Sequence, residues 1–296
     1  MSGRNDIASS PSCLWQVGAT LGEGVLWDAG SRQVWFVDIK GRRVHRCDGD
    51  GANQRSWEAP GQVSFIVRAS SGGMVCSLDD GLYRFNENSG AFQPLLAVEA
   101  DQPGNRFNDG HVDADGALWF GSMDDAEERP SGALYRFDGS AAERKDDGYI
   151  ITNGPALSPD GRTLYHTDTL DKRTYAFDRA ADGGLSNKRL FVTLTDGGYP
   201  DGMAVDVEGC VWIATFGGWR IDRFDAAGNK LGEVRFPCAN VTKLAFGGPD
   251  LRTVYATTAR KGLSKDELAA QPLAGGLFSF RVETPGLPQQ LLRLKD

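Results

Sequence analysis

T-N-G-P-A-L-S-P-D-G-R-T-L-Y-H-T-D (152–168) contains two strand-like runs joined by a tight turn. P-A-L (155–157) is short and apolar. S-P-D-G (158–161) is made of residues that close Asx-turns or tolerate positive φ, and T-L-Y-H-T-D (163–168) is rich in β-branched and aromatic residues. The unit recurs on both sides. G-V-L-W (24–27), G-H-V (110–112) and M-A-V (203–205) echo the first run. Q-V-W-F-V-D (33–38), M-V-C-S-L (74–78), A-L-W-F-G-S (117–122), V-W-I-A-T (211–215) and T-V-Y-A-T-T (253–258) echo the second. A third strand follows as L-Y-R-F-N (82–86), L-Y-R-F-D (134–138), T-Y-A-F-D (174–178) and I-D-R-F-D (221–225), with V-H-R-C-D (44–48) and L-F-S-F (277–280) as weaker copies.

Six copies begin near residues 23, 64, 108, 153, 201 and 242, about 41 to 48 residues apart. Three or four short antiparallel strands in a repeat of that length make a propeller blade. No amphipathic helix separates the strands, which excludes βαβ units and a TIM barrel. The one helical pattern is short, S-K-D-E-L-A-A (264–270), with Ser264 as its N-cap. The expected fold is therefore all-β, a six-bladed β-propeller of short antiparallel four-stranded blades. One domain is expected over residues 11–296, behind a flexible polar segment at 1–10. Ring closure is expected from L-W-Q-V (14–17), pairing as the outer strand of the blade that ends in L-F-S-F.

Composition narrows the function. The 296 residues carry a formal charge of -8, whereas a nucleic-acid surface needs clustered Lys and Arg. Five widely spaced cysteines without a C-x-x-C pair read as reduced thiols rather than a disulfide framework. The polar N-terminus has no apolar signal-peptide core, and no stretch approaches the length of a membrane span. A cytoplasmic monomer, with neither nucleic-acid nor membrane partners, is the expectation.

The innermost strand of each blade lines the axial channel, so the residue at its entry faces the channel mouth. Through the six repeats this position reads Glu23, Ser64, Asn108, Asn153, Asp201 and Thr242 or Lys243. All are polar. Two facing carboxylates with no cation would repel until one took up a proton. A divalent metal resolves this, with Glu23, Asn153 and Asp201 as hard oxygen ligands suited to Ca, Mg or Mn and compatible with Fe(II) or Zn. Three protein ligands leave positions open for water and substrate. The alternative is a hydrogen-bonded polar plug in the channel. His45, His111 and His166 show no ligand spacing.

G-E-G-V-L-W (22–27), R-F-N-D-G-H-V-D (106–113), T-N-G-P-A-L-S-P-D-G (152–161) and Y-P-D-G-M-A-V-D-V-E-G (199–209) together resemble the regucalcin/gluconolactonase family of six-bladed propellers. The resemblance covers nearly the whole chain in matching order. It implies metal-dependent hydrolysis of a sugar-acid lactone, such as glucono- or xylonolactone, to the open aldonic acid. It also implies one divalent cation on Glu23, Asn153 and Asp201, with Arg106 and Asn108 binding the sugar. Asp201 is the expected general base toward water. Family members often place an acidic substrate contact after G-T-M. Here G-S-M (121–123) is followed by Asp124, Asp125, Ala126, Glu127 and Glu128, and the contact has no unique match.

Two other functions fit the fold: a non-catalytic calcium-binding or interaction propeller, and an arylesterase-like lactonase for apolar substrates. Trp35, Trp119, Tyr165, Trp212 and Tyr255 recur in register and read as packing between blades. The acidic run 124–128 reads as a solvated loop, with cover over the site as the alternative. Trp219, after F-G-G (216–218), is a candidate for the channel mouth.

Overall fold

The computed structural model describes residues 6–295. Six four-stranded antiparallel sheets form the ring. Their innermost strands are Gly22–Asp28, Ile66–Arg68, Asn105–Val112, Thr152–Leu157, Tyr199–Val205 and Asn240–Gly247, numbered here as blades 1 to 6. Ring closure uses the N-terminal strand, as expected, but two residues earlier: Ser12–Trp15 pairs antiparallel with Leu277–Arg281 of blade 6. The short helix spans Lys265–Ala270, and Ser264 and Glu267 form a reciprocal capping box.

Of the segment 1–10, residues 1–5 lie outside the described residues. Asp6 is buried, and its carboxylate accepts from the Thr284 amide and hydroxyl, while Ile7 bridges to Val282. The C-terminal segment crosses the base of the ring, pairing Gly286 with Asp206 of blade 5 and Leu292 with Ala69 of blade 2. No described helix is long and apolar enough to cross a membrane.

The core is a ring of six apolar layers, one at each junction between blades. Val34 and Phe36 pack with Ala245 and Tyr255 of blade 6, whereas Trp35 and Val37 pack with Ile66 and Met74 of blade 2. Successive residues of a strand point to opposite faces, so each middle strand serves both neighbours. Trp119 packs between blades 3 and 4, and Trp212 between blades 5 and 6. These second-strand aromatics are interior packing.

The turn-opening aspartates clamp the lower side. Asp113 accepts from Trp119 Nε1 at 2.8 Å and from Arg179 of blade 4 at 2.9 Å, and Asp28 takes Arg68 of blade 2 through Nε at 3.0 Å. Their carboxylates both close the local turn and tie one blade to the next.

Two histidines lie inside this ring in neutral form. Burial holds His45 down at about 4 and His166 down at about 3, and neither nitrogen of His166 has a hydrogen-bond partner among the described residues. In the unfolded chain both titrate near 6.5. As pH falls below about 6.5 the unfolded state binds protons that the folded state does not, so stability declines toward the folded values. At pH 5 each is expected to have removed about 2 kcal/mol relative to neutral pH. Urea unfolding of His166→Phe should show a pH 7-to-5 loss smaller by about that amount. An unchanged loss would show that His166 does not carry this effect.

Candidate functional site

The inner strands converge at their entries, and Glu23, Asn153 and Asp201 are each followed by a glycine, at Gly24, Gly154 and Gly202, where a side chain would meet a neighbouring strand. A Cβ on Gly24 would lie 2.9 Å from Phe65 Cα, and one on Gly202 would lie 2.8 Å from Lys243 Cγ. Gly24 also has φ of 57°, the left-handed region that glycine adopts most readily. At this level the ladders slip by one residue: between Glu23 and Leu26, Phe107 and Gly110, Asn153 and Ala156, Pro200 and Met203, and Val241 and Lys243. Such bulges re-aim side chains. Glu23 and Asn153 keep their ladder partners, whereas Asn108 and Asp201 fall inside the bulge, one step later than turn spacing indicates.

Four of the six expected mouth residues come together. Asn108 Nδ2 donates to Asn153 Oδ1 at 3.0 Å and to the Thr152 carbonyl at 2.6 Å. Asn153 Nδ2 donates to Thr169 Oγ1 at 2.8 Å, and Thr169 donates in turn to the Pro200 carbonyl. That chain links blades 3, 4 and 5 and fixes the orientation of the Asn153 amide. Arg106 Nη1 donates to Asn108 Oδ1 at 2.7 Å. Glu23, Asn153, Asp201, Asn108 and Arg106 are all at most 5% exposed.

Ser64 and Thr242 depart from the expectation. Ser64 Oγ donates to the Phe107 carbonyl at 2.6 Å, and Thr242 Oγ1 to the Gly22 carbonyl at 2.5 Å. Both hydroxyls fasten one inner strand to its neighbour, since a strand entry at a blade junction leaves a carbonyl to satisfy. In blade 6 it is Lys243 that enters the channel, where its Nζ meets Asp109 at 2.5 and 2.6 Å. Asp109 is a component that sequence reading missed, although N-D-G placed it directly after Asn108. Lys243 was legible only as one of two candidates.

Electrostatics bind these groups together. Burial raises the Glu23 carboxyl, Asp109 adds to the rise, and Lys243 offsets part of it. Burial also raises Asp201 well above the usual carboxylate range, with the Glu23 and Asp109 charges adding to it. Two buried carboxyls held this way share a deficit of positive charge. Among the described residues no group of three or more His, Cys, Asp or Glu is placed to hold a metal. Asp109 is engaged by Lys243, which leaves Glu23, Asp201 and the Asn153 amide oxygen as the donors a cation would take. The donor set of two carboxylates and one amide fits a hard divalent ion.

At the rim, Asp124, Asp125 and Glu127 of the acidic run after Met123 are paired, while Ala126 and Glu128 stay exposed. Asp124 is buried and fully used, taking the Arg129 guanidinium and the amides of Glu128 and Arg129. Asp125 accepts from Arg106 Nε at 2.8 Å, Lys40 Nζ at 2.5 Å and Gln62 Nε2 at 3.2 Å. Glu127 pairs with Lys261 from blade 6, on the opposite side of the ring. Trp219, 39% exposed, lies in the turn just before the third strand of blade 5 (Arg220–Phe224), where its backbone N–H donates to the Ala239 carbonyl and its carbonyl accepts from the Phe236 amide. On the far side of the Asp109–Lys243 pair an axial cavity of about 360 Å³ runs past Phe65, His111, Met203 and Phe246 to the C-terminal segment at Leu287–Gln290.

Comparison with known proteins bears on this geometry. Residues 21–260 match the family model described as the SMP-30/gluconolactonase/LRE-like region. The chain is 33% identical over 282 residues to the 6-deoxy-6-sulfogluconolactonase of Pseudomonas putida, covering 94% of this chain and 97% of that one. It is 35% identical over 274 residues to the L-arabinolactonase of Azospirillum brasilense, covering 90% of each. The solved structure of a calcium-binding protein, regucalcin, from Agrobacterium tumefaciens superposes with a TM-score of 0.92 at 31% identity, covering 97% of this chain and 98% of that one.

Proposed function

Since the chain belongs to the SMP-30/gluconolactonase/LRE-like family, we propose that it is a carboxylic-ester hydrolase that opens a sugar-acid lactone with one divalent cation. The observation that carries the reading is the pair of buried carboxyls, Glu23 and Asp201, the Glu23 charge raising Asp201, at the strand entries where the Asn153 amide is held in a fixed orientation. The relatives named for a sulfogluconolactone and an arabinolactone point to an aldonolactone, and glucono- and xylonolactone are the first to assay.

A divalent cation on Glu23, Asn153 and Asp201 would supply Lewis-acid polarisation of the lactone carbonyl. Asp201 accepts a proton from the attacking water and returns it to the ring oxygen as the carbon–oxygen bond breaks. Water is thereby divided between the new carboxyl and the freed hydroxyl. Arg106 donates to sugar hydroxyls, and the second lone pair of Asn108 Oδ1 accepts from one of them. Both residues are held before substrate arrives, Arg106 by Asn108 and Asp125, and Asn108 by Thr152 and Asn153. These buried polar groups disfavour an apolar ester that leaves them unpaired.

Base-consumption assays on aldonolactones test this. Elemental analysis should find one divalent cation per chain. A chelator should bring turnover to the uncatalysed background, and adding back a divalent cation should restore it. Full activity in excess chelator would overturn the metal requirement. Bound calcium with no turnover on any aldonolactone would favour the non-catalytic propeller, and preference for aryl esters would favour the arylesterase reading.

A further inference from the structure

The carboxylate of Asp125 sits where three blades aim their donors. Lys40 Nζ reaches it from blade 1, Gln62 Nε2 from the entry of blade 2 and Arg106 Nε from blade 3, at 2.5, 3.2 and 2.8 Å. Arg106 is 3% exposed, while Lys40 and Asp125 are open enough to move, at 28% and 37%. Burial works against ionisation of Asp125, yet the Lys40 hydrogen bond, the Arg106 charge and Gln62 hold it below its ordinary value. The nearby carboxylates have other partners: Asp79 takes the Gln62 backbone N–H, Asp124 takes Arg129, and Glu127 takes Lys261. Arg106 also joins this trio to the cation donors through Asn108 and Asn153. Asn108 therefore stands between this trio and Asn153, which keeps the trio apart from the proposed cation donors while joined to them.

We propose that Lys40, Gln62 and Arg106 form an anion subsite for a sulfonate or phosphate carried at the end of the lactone remote from its carbonyl, and that Asp125 occupies it until such a group arrives. The protein's own carboxylate stands in for the ligand's oxygens. A neutral terminal hydroxyl leaves Asp125 in place and donates to it, whereas an anionic group repels Asp125 and takes over its donors. Oxygen-bearing anions suit this trio because guanidinium and ammonium donors bind them by charge-assisted hydrogen bonds.

The proposal rests on the lactonase reading, so its test includes a measurement that needs no turnover. With the metal-loaded protein, kcat/KM is measured on glucono-1,5-lactone and on its 6-sulfonate and 6-phosphate analogues. Each charged lactone should be preferred by about tenfold or more, as one to two charge-assisted contacts would give, and the preference should shrink as salt is raised. Lys40→Met should lower the charged-to-neutral ratio about tenfold, and Asp125→Asn should raise it. A residue with only a structural role would not move that ratio in opposite directions.

Calorimetry with the open-chain acids, gluconate and its 6-sulfonate, supplies the second readout. Turnover without preference for charge, or a ratio unmoved by both variants, overturns the subsite and leaves the lactonase reading standing. Tighter binding of the sulfonated acid, lost in Lys40→Met, with no lactone turned over, supports the subsite and overturns the lactonase reading. No turnover and equal binding of the two acids overturns both.

Discussion

Asp201→Ala is expected to lower kcat/KM on an aldonolactone by about 10³-fold or more while the protein stays folded. Loss of a positioned general base alone costs about 10² to 10⁴. Here the same change removes one of the three donors proposed for the cation, so metal content should fall with activity. The stability of the metal-free protein should move the other way or not at all. Asp201 is buried beside Glu23 and Asp109, and both like charges raise its carboxyl. Removing it relieves a repulsion that a merely structural side chain would not impose. Parallel measurements of kcat/KM, bound metal and thermal midpoint without metal check this. Activity within tenfold of the parent would overturn the role of Asp201.

Lys243→Met is expected to destabilise the protein by about 3–5 kcal/mol, the cost of leaving one member of a buried ion pair without its partner. Both carboxylate oxygens of Asp109 lie on Lys243 Nζ, and Asp109 is only 1% exposed. Glu23 loses a nearby positive charge in the same variant, since Lys243 offsets part of its rise. Protonation of Asp109 sets the upper limit of the cost, because a neutral acid is cheaper to bury than a lone carboxylate. The double variant Asp109→Asn/Lys243→Met should regain most of the loss, since it removes the orphaned charge. Urea denaturation of the single and double variants distinguishes these cases. A loss under about 1 kcal/mol, or no recovery in the double variant, would show the pair to be dispensable.

The blade architecture was legible because each repeat carries its own local signals. D-G and E-G turns, β-branched second strands and the Y-R-F third strand are short-range patterns, and residues 12–15 close the ring near the segment that their apolar character marked. Glu23, Asn108, Asn153 and Asp201 were legible for the same reason, as one polar position counted back from each turn. Ser64 and Thr242 share that count but serve the backbone of the neighbouring strand. Nothing in their letters distinguishes a hydroxyl that faces the channel from one that caps a carbonyl across a blade junction.

The bulges account for the uncertain register of blade 6. One extra residue turns every later side chain to the opposite face. Between Val241 and Lys243 that residue is Thr242, which sends the lysine into the channel. The run 124–128, read as a solvated loop with cover over the site as the alternative, is exposed at Ala126 and Glu128 and paired at its other charges. Its charges would be solvated on an isolated loop, but their partners Lys40, Gln62 and Lys261 stand on other blades, between 63 and 134 residues away along the chain.

By itself, then, the amino-acid sequence determined the number of blades, the strand order within each and the convergence of one polar position from several repeats. Those properties follow from periodicity and turn chemistry, which act over a few residues and repeat. Tertiary structure alone decided which polar residues face the axis, that Lys243 answers Asp109, and that Asp125 lies under three donors from three blades. Those outcomes depend on bulges and on the distance between blades. Charge pairing is set by position in space, and the ring brings into contact residues that the chain keeps far apart.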